Sequence, residues 1–341
     1  MADIIEIGQV GLGDWGRNLL RNFAGLGRCR VKAACDSNSA VIGKLSESYP
    51  GINFIEKYEV LLDDPAIKAV VIATPPALHF EMAEKALEAG KDVFVEKPFV
   101  LDPADGLKLV DMADRLGRIL MVGHIMLHHP ATALLKKYIA GGELGRIYYL
   151  YSQRINLGKV RDCENCLWSF APHDISLILY LLDDMPCRVN TTGASYLQEH
   201  IEDVSFMTLH FADGKMAHVH VSWLDPHKER KITIVGSKKM AVFDDTAASE
   251  KIWLYDKGVN SRLDYSTYGE YLGLRIGDIV LPRVQGGEPL RAECQHFLDC
   301  IINRKTPISD GRDGLRVLAV LQAAQESLEH GGVPVEIPPP Y

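Results

Sequence analysis

Residue types with chemical capability gather at a few points in the first third of the chain. Gly11-Leu12-Gly13-Asp14-Trp15-Gly16 fits G-x-G-x-x-G between a β-branched run and a helical pattern. Without side chains at Gly11 and Gly13 the chain can turn tightly and let a pyrophosphate reach a helix N-terminus, where free amides and the helix dipole favour an anion. Gly16 would let that helix pack close to the strand. Such a triplet alone is a weak signal in a chain with 29 glycines, which turns use freely. Asp36, about twenty residues past Gly16, strengthens it, because a carboxylate there accepts hydrogen bonds from an adenosine ribose diol. The same charge repels a ribose 2′-phosphate, and the following Ser37-Asn38-Ser39 offers no arginine to receive one, so NAD is favoured over NADP. Further on stand Ala73-Thr74-Pro75-Pro76-Ala77-Leu78-His79 and Glu96-Lys97-Pro98. A C–OH that loses hydride develops alkoxide character, which an ammonium stabilises, and Lys97 suits that role. Taken alone, Glu-Lys-Pro is equally a solvated salt bridge.

These residues need elements to hold them. The first third alternates short β-branched runs with helical patterns, which predicts a doubly wound parallel sheet of β-α-β units. The strands are expected over residues 4–10, 30–35, 53–55, 69–73, 92–95 and 119–122, so that Asp36, Thr74 and Lys97 fall at strand ends, where such sheets open their ligand crevice. Asp102-Pro103-Ala104-Asp105 reads as an N-cap, an N1 proline and a first-turn acid. After Gly123 the pattern changes to a helix over about 131–139, a strand over 147–155, a buried helix over 175–182, and then consecutive strands. Val204–Phe211 and Met216–Trp223 flank Asp213-Gly214 as a hairpin, and more strands follow at 231–235, 240–243 and 252–255, which argues for an antiparallel sheet. Residues 256–290 show little periodicity and read as a long excursion. Helices near 291–302 and 314–328 close the chain.

Composition agrees with two domains, placed at 1–123 for the dinucleotide and 124–341 for substrate and assembly. The 341 residues exceed what one core usually serves, and 47% hydrophobic with 24% charged residues is ordinary for a globular chain. A net charge of −8 with no basic stripe argues against nucleic acid as a partner. The longest apolar run, Ile175 to Leu182, is well short of the roughly 20 residues that a spanning helix needs, so no membrane partner is expected. Acids near the start, at Asp3 and Glu6, stand where a secretory leader has basic residues, which points to the cytoplasm. Seven scattered cysteines suit reduced thiols, and Cys163 with Cys166 forms a lone C-x-x-C that reads as incidental; no metal is expected.

The glycine fingerprint, the Thr74 to His79 stretch and Glu96-Lys97-Pro98 together resemble the glucose-fructose oxidoreductase, inositol dehydrogenase and rhizopine-catabolism (Gfo/Idh/MocA) family of NAD(P)-dependent oxidoreductases. The resemblance covers essentially the whole chain, including the late segment Pro289-Leu290-Arg291-Ala292-Glu293-Cys294-Gln295-His296-Phe297-Leu298. It implies an α/β chain, with a Rossmann domain followed by an α/β domain carrying a large open, mostly antiparallel sheet. It further implies that Gly11, Gly13, Asp14, Trp15, Gly16, Asp36, Ser37, Thr74, Pro75, His79, Glu96 and Lys97 line the cofactor. Lys97 would lie near both nicotinamide and substrate, and the Lys97–Pro98 bond is often cis in such proteins. A family histidine at a helix start matches His173 in Ser169-Phe170-Ala171-Pro172-His173, which makes it the candidate general base. A capping or core histidine is the alternative. The family's usual Asp four residues earlier is Ser169 here, so a Lys97/His173 dyad is expected rather than a triad. Asn165 to Ser176 resembles a subgroup linked to nucleotide-sugar and surface-polysaccharide biosynthesis. Arg154, Lys159 and Arg161 precede His173 in a segment that could reach the crevice, where cations suit a sugar carboxylate or diphosphate and otherwise are solvated surface charges; His124, His128 and His129 open the second domain and could line the sugar site, and Trp168 is a further substrate-contact candidate.

The expected activity is NAD-dependent hydride transfer at a secondary hydroxyl of a pyranose, C3 of a nucleotide-sugar being one such position. A glycosidase that uses NAD transiently and a non-catalytic sugar sensor are the competing readings; net NADH formation separates the first from both. The resemblance also implies a homodimer or homotetramer built on the second sheet, whose apolar face Phe206, Phe211 and Trp223 are expected to supply.

Overall fold

A computed structural model describes residues 4–260 and 273–339. In the first unit, β1 (Ile5–Val10), β2 (Cys29–Cys35), β3 (Asn53–Ile55), β4 (Ala69–Ile72), β5 (Asp92–Glu96) and β6 (Leu120–Gly123) form a parallel sheet in the order β3-β2-β1-β4-β5-β6. The helices between them are α1 (Gly16–Ala24), α2 (Ser39–Ser46), α3 (Tyr58–Leu62), α4 (His79–Glu88) and α5 (Pro103–Leu116). β4 is buried at every position, as a strand covered on both faces must be. The Asp102 side chain accepts from Ala104 N at 2.8 Å and Gly117, at φ 61°, ends α5. The strand order reverses between β1 and β4, which places the ends of β1, β2, β4, β5 and β6 around one crevice.

The second unit begins with α6 (Pro130–Ala140), β7 (Ile147–Ile155) and α7 (Cys166–Leu182), and continues with β8 (Arg188–Ala194), β9 (Val204–His210), β10 (Met216–Ser222), β11 (Glu229–Gly236), β12 (Met240–Asp244), β13 (Ile252–Asn260) and β14 (Gly273–Val280). The chain closes with α8 (Pro289–Asn303), α9 (Gly311–Glu329) and β15 (Val335–Glu336). The nine-stranded sheet runs β14-β13-β12-β11-β7-β10-β9-β8-β15, antiparallel except where β7 pairs with β10. Gly214, at φ 86°, makes the expected hairpin turn between β9 and β10. No helix among the described residues is long and apolar enough to cross a membrane.

Four expectations shift. The compact units divide at 128/129 rather than 123/124, and Gly287–Leu318, including α8, belongs with the first unit. The cause is packing: Phe297 of α8 meets Phe23 and Phe94 edge-on at 6.3 and 5.7 Å between ring centroids. The Arg304 guanidinium also grips the buried Asp92 carboxylate at 2.8 and 3.1 Å. Residues 256–290, expected to be an excursion, carry the end of β13 and the edge strand β14; 261–272 lie outside the described residues. The apolar face also differs, since Phe211 and Trp223 are buried and only Phe206 remains exposed on the open face. Strand alternation explains this: Phe206 shares a side with Thr208 and His210, whereas Met207, Leu209 and Phe211 point to the core. Finally, α7 starts at Cys166, not near His173. The Asn165 side chain accepts from Trp168 N at 3.1 Å, and this cap carries the helix through Pro172.

Candidate functional site

The dinucleotide elements of the first unit begin where β1 ends. Gly11 has φ 87°, and a Cβ there would lie 2.4 Å from the Ala73 carbonyl oxygen; one on Gly16 would lie 2.1 Å from that of Gly11. Gly16 therefore serves close packing of helix against its own turn. A Cβ on Gly13 would meet nothing within 4 Å, so this turn leaves room for a ligand at the N-terminus of α1. Gln9 braces the turn from within, donating from Nε2 to the carbonyls of Gly16 at 2.7 Å and Gly11 at 3.2 Å. Asp36 follows β2: its Oδ2 accepts from Leu12 N at 2.7 Å and its Oδ1 from Asn38 N at 2.9 Å, which orients the carboxylate and leaves each oxygen a further lone pair. Gly13, Asp14, Trp15, Ser37 and Pro75 are exposed around this turn. These features fit a dinucleotide.

The double variant Asp36→Ala, Ser37→Arg removes the repelling carboxylate and adds a cation, and is expected to reverse the NAD/NADP affinity ratio by at least about tenfold. Parallel titrations with the two dinucleotides check it, and a parent protein that prefers NADP contradicts the role of Asp36.

At the end of β5 the Glu96 carboxylate joins two parts of this site. Its Oε1 accepts from Trp15 Nε1 at 2.5 Å, and its Oε2 from Lys97 N at 3.1 Å. The Lys97–Pro98 bond is cis, and the Lys97 side chain is half-buried. His79 is fully buried, with Nδ1 2.8 Å from the Pro98 carbonyl and Nε2 2.9 Å from the Thr74 carbonyl, so it links the β4 and β5 ends. His124 follows β6. Burial first, and the Lys97 charge second, push its imidazole down to about 3, so it is neutral at physiological pH. Neither of its ring nitrogens has a hydrogen-bond partner among the described residues.

The other expected residues lie in the second unit. His173 sits half-buried on α7. Its neighbour Asp174 turns inward, where it accepts from Arg154 Nε at 2.7 Å and Ser152 Oγ at 2.5 Å. Arg154 is correspondingly buried, with its guanidinium engaged by Asp174. Trp168 Nε1 donates to Gln325 at 3.1 Å, and Arg161 is exposed, 3.7 Å from Glu164. Cys163 is exposed and Cys166 is buried in the first turn of α7, both as free thiols.

Two residues escaped the sequence reading. Gln9 was signalled by a polar side chain within an apolar strand just before the glycine turn. Glu293, wholly buried on α8, had a fainter signal, an acid followed by the core residues Cys294, Phe297 and Leu298.

Comparison with known proteins identifies the family and the fold. The model of the oxidoreductase family with an NAD-binding Rossmann fold matches residues 5–124, and the GFO/IDH/MocA C-terminal domain matches residues 132–242. UDP-N-acetylglucosamine 3-dehydrogenase of Acidithiobacillus ferrooxidans is 26% identical over 332 residues, covering 95% of this chain and 97% of that protein. The NAD-dependent scyllo-inositol 2-dehydrogenase of Bacillus subtilis is 28% identical over 296 residues, 83% of this chain and 81% of that one. A solved levoglucosan dehydrogenase in complex with NADH and levoglucosan shares the fold at TM-score 0.84 and 21% identity, covering 99% of this chain and 100% of its own. Matches that run through both halves of the chain make it a member of the Gfo/Idh/MocA family, an oxidoreductase with an NAD-binding Rossmann domain.

Proposed function

We propose that this chain is a sugar dehydrogenase that transfers hydride between a secondary hydroxyl of a pyranose and NAD, with C3 of a nucleotide-sugar as the favoured position. The observation that carries the reading is the Glu96 brace, which ties Trp15 of the glycine turn to Lys97 within one unit. A dinucleotide-binding turn and a cation suited to a developing alkoxide are thereby held together. The relative that acts on UDP-N-acetylglucosamine at C3, similar over nearly the whole chain, supports the substrate class.

When bound, NAD supplies the hydride acceptor. Asp36 would accept hydrogen bonds from the ribose hydroxyls and the Gly13 region would receive the pyrophosphate, with Thr74, Pro75 and His79 holding the loop beside them. Within the first unit the Lys97 ammonium would stabilise a developing alkoxide, and on the second unit His173 is the proposed general base. On the first unit His124 would offer a neutral imidazole to a sugar, and on the second unit Arg161 is a cation suited to an anionic group. Arg154 and Trp168 act by placement, through Asp174 and Gln325 respectively.

Incubating the protein with NAD and a panel of free sugars and UDP-sugars tests the substrate class. Net NADH is expected with a UDP-linked hexosamine, whereas NADH formed only from free inositols or free sugars contradicts the nucleotide-sugar assignment. The reading extends to assembly. The open face of the second sheet carries exposed Tyr149, Tyr151 and Phe206, with the Phe206 ring stacked on His220 at 4.4 Å. Pairing of two such faces into a dimer or tetramer buries them. Light scattering is expected to give a multiple of 37.9 kDa, and a clean monomer mass refutes it.

A further inference from the structure

Trp15 is 42% exposed at the turn before α1, yet its one side-chain donor is not turned to water. The indole Nε1 donates to Glu96 Oε1 at 2.5 Å, which joins the turn after β1 to the end of β5. Its own carbonyl accepts from Asn18 N at 2.9 Å and Leu19 N at 3.2 Å, so the backbone that carries the ring belongs to the first turn of α1. The carboxyl that receives the indole has little freedom. Glu96 is 8% exposed, and its second oxygen accepts from Lys97 N at 3.1 Å. Gly123, its partner in the β5–β6 ladder, backs it. A Cβ on Gly123 would stand 3.0 Å from the carboxyl carbon and both oxygens, tighter than ordinary van der Waals contact. Gly123 has no positive φ, so it is the carboxyl and not the backbone that calls for glycine here. Burial pushes this carboxyl up to about 7, while the Trp15 N–H, the Lys97 charge and the Lys97 N–H pull it down.

We infer that Trp15 and Gly123 are positioning residues for Lys97: the indole N–H and the missing Cβ together fix the Glu96 carboxyl, and the carboxyl fixes the backbone N–H of the lysine. The glycine turn then has two tasks, receiving the dinucleotide and setting the lysine, and Trp15 joins them. The inference rests on the reading that Lys97 acts at the chemistry. Two substitutions disturb the link from opposite sides. In Trp15→Phe an aromatic ring remains at the turn, but Glu96 Oε1 loses its donor. In Gly123→Ala both donors remain, but the carboxyl must give way by a few tenths of an ångström, which it cannot do without loosening one of its two bonds. Small shifts matter here, because about 1 Å of misplacement caused far from the reacting atoms can cost about 10²-fold in rate.

The test sets NAD affinity beside turnover. Trp15→Phe and Gly123→Ala are each expected to bind NAD within about threefold of the parent, while kcat with NAD and UDP-N-acetylglucosamine falls about tenfold or more. The same substitutions on a Lys97→Met background separate positioning from general loosening of the fold. With the ammonium gone they are expected to cost almost nothing further, whereas a merely structural loss would add in full. A reading that needs no variant is solvent exchange of the Trp15 indole N–H in the whole protein, expected to be slow despite the exposure of the ring. Single variants with the parent's kcat, NAD affinity lost while kcat holds, losses that persist in full on the Lys97→Met background, or a fast-exchanging indole N–H overturn the inference alone. A parent without turnover on any sugar, or Lys97→Met turning over like the parent, overturns the catalytic reading and the inference with it.

Discussion

Lys97→Met is expected to lower turnover by about 10²-fold or more while NAD binding survives. Methionine keeps most of the lysine's volume, and the backbone N–H that donates to Glu96 is unchanged. The glycine turn and the Asp36 carboxylate also stay in place, because their hydrogen bonds do not involve the lysine side chain. On the proposed reading, what disappears is the cation that stabilises the developing alkoxide. A secondary effect follows for Glu96, since losing the neighbouring positive charge raises its carboxyl further above about 7. Steady-state kinetics beside an NAD titration separate the two roles. Activity within a factor of a few of the parent would show that Lys97 is not at the chemistry.

His173→Asn carries the second large effect. A positioned general base contributes about 10²–10⁴-fold, and asparagine keeps polarity and approximate size without accepting a proton. The pH profile is the sharper readout. If His173 is the general base, the rise in rate with pH that such a base produces in alcohol oxidation should be absent in the variant. Because Asp174 is bound to Arg154 and Ser152, it is not placed to replace the lost base. An unchanged rising limb would assign the proton to another group.

The legibility of these parts in the sequence follows from their locality. Strands such as β4 and β5 are short, wholly buried and framed by turn residues, so composition alone reveals them, and their ends place Thr74 and Lys97. The hairpin at Gly214 and the caps at Asp102 and Gly117 are likewise contained within a few residues. Boundaries set by distant contacts were not legible. α8 returns to the first unit through Phe297 against Phe23 and Phe94, nearly the length of the chain away. β8 was missed because Asn190, Thr191, Thr192 and Gly193 lack the apolar alternation that a strand usually shows. Pro172 suggested a helix start, yet Asn165 caps the helix two turns earlier. Within the site, the residue types of Asp36, Glu96 and Lys97 could be read from motifs. The Trp15–Glu96 bond and the position of Glu293 join segments far apart in sequence, and only folding brings them together.

On the proposed reading, hydride passes directly from a sugar carbon to the cofactor. The most direct measurement is a single turnover of the protein with NAD and UDP-N-acetylglucosamine carrying deuterium at C3, followed by mass analysis of the cofactor. One deuterium is expected on the recovered NADH, with a 3-keto sugar nucleotide as its partner. Reduced cofactor without deuterium, or unlabelled sugar recovered with deuterium lost to water, would contradict it.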